Sequence, residues 1–266
     1  MNYIQDNNIL LQYIPNVVTA VEGEADLFTK MQSHLLMAEA WLESNVVHYA
    51  DIAGNDSAMA FARIIVADDA FRRAVPSLDL ILTENGFGIV SNQTVAPASR
   101  DRINALMESL QAVEDSAIEE LANVLSGVNT TLSGTIFPGF EAQRMQSVGK
   151  GLFARYQADK PKIQAVENDL AKRALSFDVV NELRDNAYSH SLSANKLVLQ
   201  ANLKRLVIRK MQGNMPLIEG KDAVRELVDW VRKHPEDFPG WEASDAAKYW
   251  TDYTYKNDKN SGGFWL

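Results

Sequence analysis

Apolar residues recur at three- and four-residue intervals along most of this chain, the spacing of helices that bury one side. Leu27, Met31, Leu35, Ala38 and Leu42 form one such stripe, which predicts a long helix opening near Asp26 and running to about Tyr49. Ahead of it, Ile9 to Ile14 make an apolar lead-in that stops at Pro15. Gly54-Asn55-Asp56 reads as a turn, with Asp56 or Ser57 capping an alanine-rich helix that carries Met59, Ala60, Arg63, Ile64 and Ala67 and ends at Pro76. The most regular pattern follows Pro97: Ser99 is a good N-cap, and Ile103, Leu106, Leu110, Val113, Ala117, Leu121 and Val124 repeat at helical spacing as far as Leu125. Glu108, Glu114, Asp115, Glu119 and Glu120 fall mostly elsewhere on the wheel, so this helix is expected to carry an acidic, solvated outer face.

One stretch breaks the helical period. From Leu78 to Ala98, two short runs rich in Leu, Ile and Val flank Asn85-Gly86, a dipeptide that supplies the positive φ angles of a tight turn. A hairpin or extended flap is expected there. Gly127 to Gly139 has the Gly, Ser, Thr, Asn and Pro content of a loop and is the expected domain junction. Beyond it the pattern predicts helices over about Glu141 to Tyr156, Lys162 to Leu175, Asp178 to His190, Ala194 to Met211 behind a Ser193 cap, and Asp222 to Lys233, stopped by Pro235. Pro15 to Glu22 echoes Pro161 to Glu167 with one residue of slippage, the kind of trace a duplicated helical unit leaves. The expected fold class is therefore mainly α: a multi-helix bundle with one β-hairpin or extended flap. It divides into an N-terminal helical subdomain (1–127), a C-terminal helical subdomain (140–233) and an aromatic-rich tail (234–266).

At 266 residues the chain can bury a sizeable core, and no window approaches the roughly 20 uncharged apolar residues of a membrane span. Met1 to Asp6 carries neither the basic nor the apolar region of a secretory signal, and with no cysteine there is no disulfide framework or thiolate metal site. The cytoplasm is the expected compartment. A net charge of −9 disfavours long-range attraction to nucleic acid or an anionic membrane, so neither is an expected partner.

Known catalytic patterns fail one by one. His34, His48, His190 and His234 are scattered and belong to no HExxH or ExxH pattern, so exposed or capping histidines are expected and no metal site. Asp68-Asp69-Ala70-Phe71-Arg72 is similar to an aspartate-rich magnesium helix, but Arg72 stands where a further carboxylate is needed, and a solvated helix end is the expectation. Gly86-Phe87-Gly88, Gly149-Lys150-Gly151 and Gly220-Lys221-Asp222 each lack parts of a phosphate loop and read as turns. No G-x-S-x-G elbow is present, and no cofactor is expected. Lys196, Lys204, Arg205, Arg209 and Lys210 give one helix a basic bias. The C-terminal segment holds Trp230, Trp241, Trp250 and Trp265 together with Tyr249, Tyr253, Tyr255 and Phe264, and a Lys256 to Gly263 tether leads to Phe264-Trp265-Leu266. Aromatic ends of this kind are expected either to fold back on their own core or to anchor in a neighbour.

The order of an alanine-rich helix (Met59 to Ala74), the Leu80 to Gly86 run, the Asn92 to Ser99 approach and the long helix Arg100 to Leu125 resembles the helical head-to-tail connector or head-completion proteins of tailed phages and prophages. The likeness covers about residues 26 to 125, and more loosely Phe153 to Met211 and the aromatic end; the chain is longer than such connectors. The resemblance implies a non-enzymatic structural protein that assembles through helices and extended arms, with itself or other virion proteins as partners and the virion as a second location. Phe87, Ile89, Trp250, Tyr253, Phe264, Trp265 and Leu266 are the expected partner-binding residues. Two alternatives stay open: a helical enzyme with a dispersed site, and a ligand-binding module that uses the C-terminal aromatics.

Overall fold

The computed structural model describes residues 2–14, 25–78, 80–83, 86–89, 99–189, 191–213 and 216–251; for 77, 78, 80–83, 86–89, 217, 218 and 251 it describes the backbone alone. The chain forms two compact units. Unit 1 comprises Met1–Ser133 and Pro138–Tyr156, and unit 2 comprises Gly134–Phe137 and Gln157–Leu266. Gly127 to Gly139, the expected junction, thus contributes residues to both.

Unit 1 contains α1 (Asn7–Tyr13), α2 (Leu27–Asn45), α3 (Tyr49–Ile52), α4 (Asp56–Leu78), β1 (Leu80–Thr83), β2 (Gly86–Ile89), α5 (Arg100–Val124), α6 (Glu141–Met145) and the first turn of α7 (Leu152–Leu170). Its centre is α4, which packs against both α2 and α5. Small residues make that possible: Ala58, Ala62, Ala67, Ala70 and Ala74 are all buried, and they let two neighbours approach one helix from different sides. Met31, Leu35 and Leu42 from α2 and Leu110, Ile118 and Leu121 from α5 fill the space. The cap acts as expected at Ser99, which accepts from the Arg102 amide, and α2, expected to open near Asp26, is capped by that residue, which accepts from the Thr29 amide at 2.8 Å. At α4 the cap is Asn55, whose Oδ1 accepts from the Ala58 amide at 3.0 Å, one residue earlier than expected.

Unit 2 contains the rest of α7, a π-helical turn (Ala171–Leu175), α8 (Phe177–Asp185), α9 (Ala194–Met211), α10 (Leu217–Lys233) and α11 (Asp245–Thr251). Ser193 caps α9 and Ser244 caps α11 through the Ala247 amide at 3.1 Å. The π turn closes with the Ser176 amide on the Ala171 carbonyl at 2.9 Å, and two indoles cap its end: Trp241 donates to the Ala174 carbonyl at 2.8 Å and Trp250 to the Arg173 carbonyl at 2.6 Å. Carbonyls left over where a helix ends need such donors.

The expected fold class is corrected to all-α. The expectation made a β-hairpin or flap part of the architecture, but both units are built from helices. Among the described residues β1 and β2 pair only with each other, Leu80 opposite Ile89 and Thr83 opposite Gly86, a two-stranded ladder with no third strand beside it. Two strands of four residues offer too few cross-strand pairs to organise a core, whereas α4 with its two helical neighbours does so. Asn85 of the expected turn lies outside the described residues.

Four helix boundaries are also corrected. α4 continues through Pro76 to Leu78. The segment expected as one helix from Glu141 to Tyr156 is broken by Gly149-Lys150-Gly151, with Gly151 at φ +62°. α7 instead runs on through Pro161, which costs roughly 3 kcal/mol in a helix interior. Full burial of Ile163 and near-full burial of Leu170, roughly 1.5–3 kcal/mol each, outweighs that loss. α10 starts before the expected Asp222 and takes Gly220 into the helix.

Candidate functional site

Among the described residues, one group of charged side chains in each unit stands out. In unit 1 they lie where α4 meets α5. Asp68 and Asp69 are not the solvated helix end expected from sequence, and Glu114 and Asp115 are not on a solvated face: all four are buried. Arg72 Nη2 lies 3.1 Å from Asp69 Oδ1 and 2.8 Å from Glu114 Oε2, and Arg73 Nε lies 2.7 Å from Asp69 Oδ2. Asp115 accepts from the amides of Leu152 at 2.9 Å and Phe153 at 3.1 Å, capping α7. Among the described residues Asp68 Oδ2 has no hydrogen-bond partner. Burial pushes its carboxyl up to about 7 against the pull of Arg72. Glu114 is pushed up to about 8, first by burial and then by the neighbouring Asp69, Asp115 and Asp68, again opposed by Arg72. Raised carboxyls can mark a general acid. Here Asp68 is 2% exposed and Glu114 4%, so a substrate would reach neither, and the cluster works as an internal joint between two helices.

Unit 2 presents the opposite arrangement, a cavity of about 790 Å³ walled by α7 with its π turn, the end of α9, α10 and α11. Its lining includes Arg173, Lys210, Lys221, Arg225 and Arg232, against two carboxylates, Asp169 and Asp229. Arg173 Nε pairs with Asp169 Oδ1 at 2.6 Å, and Lys210 Nζ reaches Asp169 Oδ2 at 3.9 Å. Arg232 is held by Asp229 at 3.8 Å and lies over the Trp241 ring, 5.6 Å from its centroid. Lys221 and Arg225, four residues apart on α10, are exposed, and among the described residues no ion pair or hydrogen bond engages either side chain. Tyr249 and Trp250 close the cavity, their rings edge to face at 6.0 Å. The result is a cationic groove with an aromatic wall, chemistry suited to an anion.

Of the seven residues expected to bind partners, Trp250 is the one whose side chain is described, and it lines this groove. Phe87 and Ile89 sit on β2 opposite Leu82 and Leu80, in the part described by backbone alone. Tyr253, Phe264, Trp265 and Leu266 lie outside the described residues. The basic helix of the sequence analysis is dispersed: Lys196 pairs with Glu182, Arg209 with Glu219, and Lys204 lies over the Phe137 ring. Lys221 and Arg225 were masked by the neighbouring glycine, which made Gly220-Lys221-Asp222 read as a turn; the four-residue spacing Lys221, Arg225, Asp229 was the available signal. Among the described residues no three His, Asp or Glu side chains converge as metal ligands, and no helix is long and apolar enough to cross a membrane.

The sequence pattern of a family of unknown function, DUF6712, matches residues 26–143 and 208–250, more than half of the chain. The chain belongs to this family. The first DUF6712 match contains α2, α4 and α5 with the buried carboxylates, and the second contains Lys210, Lys221, Arg225, Arg232, Tyr249 and Trp250 of the groove. No curated protein and no solved structure matches the chain.

Proposed function

We propose that this protein is a non-enzymatic assembly subunit that works through subunit-to-subunit contacts, in its finer form a connector-like component of a phage-derived particle. The observation that carries the proposal is a pair of helices, one in each unit, that are apolar on two sides. α9 turns Leu199, Leu203, Leu206 and Val207 into the core of unit 2. On its outer side Ala194, Leu197, Val198 and Ala201 are exposed at i, i+3, i+4 and i+7, with Leu197 46% and Val198 40% exposed. α2 shows a shorter apolar patch in unit 1: Leu36, Met37 and Ala40 face outward together, with Leu36 59% and Met37 58% exposed. A lone exposed leucine is unremarkable, but a helical stripe of apolar side chains on the solvent side is the pattern a partner helix covers. The finer connector form rests on the order of elements noted from sequence.

The test is solution mass by light scattering on the full chain and on Leu197→Asp/Val198→Asp. Both positions are exposed, so folding should be unaffected, and the variant is expected to lose an association that the wild-type chain shows. A wild-type chain that stays at the 29.6 kDa monomer mass at every concentration reached would count against the proposal.

A further inference from the structure

The groove of unit 2 is cationic in a chain whose net charge is −9, and the two units divide that charge unevenly. Unit 1 holds 19 Asp and Glu against nine Lys and Arg, a formal net charge of −10, or −8 where the buried Asp68 and Glu114 keep their protons; unit 2 holds 16 against 17, a formal net charge of +1. Unit 1 is thus an acidic body with few cations of its own to neutralise it. Unit 2 carries a groove in which, among the described residues, Lys221 and Arg225 have no partner and Arg173, Lys210 and Arg232 are only partly offset by Asp169 and Asp229.

We propose that this groove is the docking site for the acidic unit 1 of a second copy of the chain. The inference rests on the assembly reading and gives that contact a direction. A groove on one unit that receives a different unit of the next copy makes a heterologous contact, and such contacts close into rings or propagate as filaments. Lys221 and Arg225 are the residues that an incoming carboxylate meets unpaired, and Tyr249 and Trp250 supply an apolar wall beside them. Complementary potentials of this kind set orientation and exclude wrong registers, because an incoming copy that presented its unit 2 instead would meet like charge and lose the attraction.

Sedimentation velocity on the full chain in 0.1 M and 1 M salt tests this, since the screening length falls from about 10 Å to about 3 Å across that range. The wild-type chain is expected to associate in low salt and to dissociate progressively in high salt. Lys221→Glu/Arg225→Glu, at two exposed positions, is expected to keep its melting temperature and weaken association roughly tenfold or more. Excess variant added to wild type should lower the wild-type mass, because it offers the acidic unit without a working groove and so ends each chain of contacts. An oligomer insensitive to both salt and the double substitution would overturn the groove inference while leaving assembly through the apolar stripes standing. A wild-type monomer in all conditions would overturn both. A wild-type monomer that binds a fluorescent single-stranded oligonucleotide, with binding lost in the double variant, would overturn the inference in favour of a nucleic-acid phosphate as the occupant.

Discussion

Asp68 shows how far a single side chain can stand from what its type suggests. It is ionisable, buried on α4 and left with one oxygen unpartnered, so the folded protein holds its proton up to about pH 7 and that of Glu114 up to about pH 8. The unfolded chain releases both near pH 4. The folded state therefore binds more protons over that window, and the stability these two groups contribute is complete below about pH 4 and lost as pH rises through 7 and 8. Asp68→Asn removes the titration at nearly constant volume. It is expected to raise the melting temperature at pH 8, with the gain smaller by roughly 2 kcal/mol at pH 5, as thermal melts at the two pH values would show. Glu167 is the opposite case, a buried carboxylate fully engaged by the Ile136 amide at 3.0 Å and by Arg184 Nε at 2.7 Å. Arg184→Ala strands that charge and should cost roughly 3–5 kcal/mol in a denaturant titration. Neither residue was legible in the sequence. A helical wheel assigns one buried face, and α4 has two because α2 and α5 both pack on it, so Asp68 and Asp69 looked solvated when they were enclosed.

At the scale of elements, the helices and several of their caps were legible because they depend on neighbours in sequence: Ser99 and Ser193 each accept from the amide three residues on, as Asp26 and Ser244 also do. The proline rule failed at Pro76 and Pro161, where packing outside the local sequence outweighs one missing hydrogen bond. The strand pattern over Leu80 to Ile89 had the right local chemistry, yet it carried no information on whether a third strand or a facing layer exists, and that is what decides fold class. Gly139 joins the two kinds of determinant. It sits at φ +53°, and a Cβ there would lie 2.9 Å from Glu119 Cγ, on the side chain that accepts from the Phe140 amide at 3.1 Å and from Arg144. Gly139→Ala combines left-handed strain with displacement of that carboxylate. It should lower stability by roughly 1–3 kcal/mol in thermal melts, with Glu119→Ala/Gly139→Ala no better than Gly139→Ala because the backbone strain remains.

For the whole molecule, the charge division between the units was hidden in plain sight. Each Asp and Lys is written in the sequence, but the sum has meaning only once the boundary is known, and that boundary falls between Tyr156 and Gln157 inside a continuous helix, where no composition shift marks it. The groove was hidden for a related reason: its walls come from segments as far apart as Asp169 and Trp250. The outward stripes on α2 and α9 need burial to be seen, since sequence alone cannot tell which of two apolar sides is covered. The mass of Leu197→Asp/Val198→Asp and the salt response of Lys221→Glu/Arg225→Glu probe these two surfaces separately, so either can fail without the other.

The four residues Gly134–Phe137 belong to unit 2 although the chain on both sides of them belongs to unit 1. Ile136 and Phe137 are fully buried there, and the Ile136 amide is satisfied by Glu167, which leaves the ribosome about thirty residues later. A chain halted near residue 156 would hold the first body with two apolar side chains and the Ile136 amide still lacking the cover that unit 2 supplies. The same threading means that no single cut of the chain separates the two bodies without leaving residues of one attached to the other.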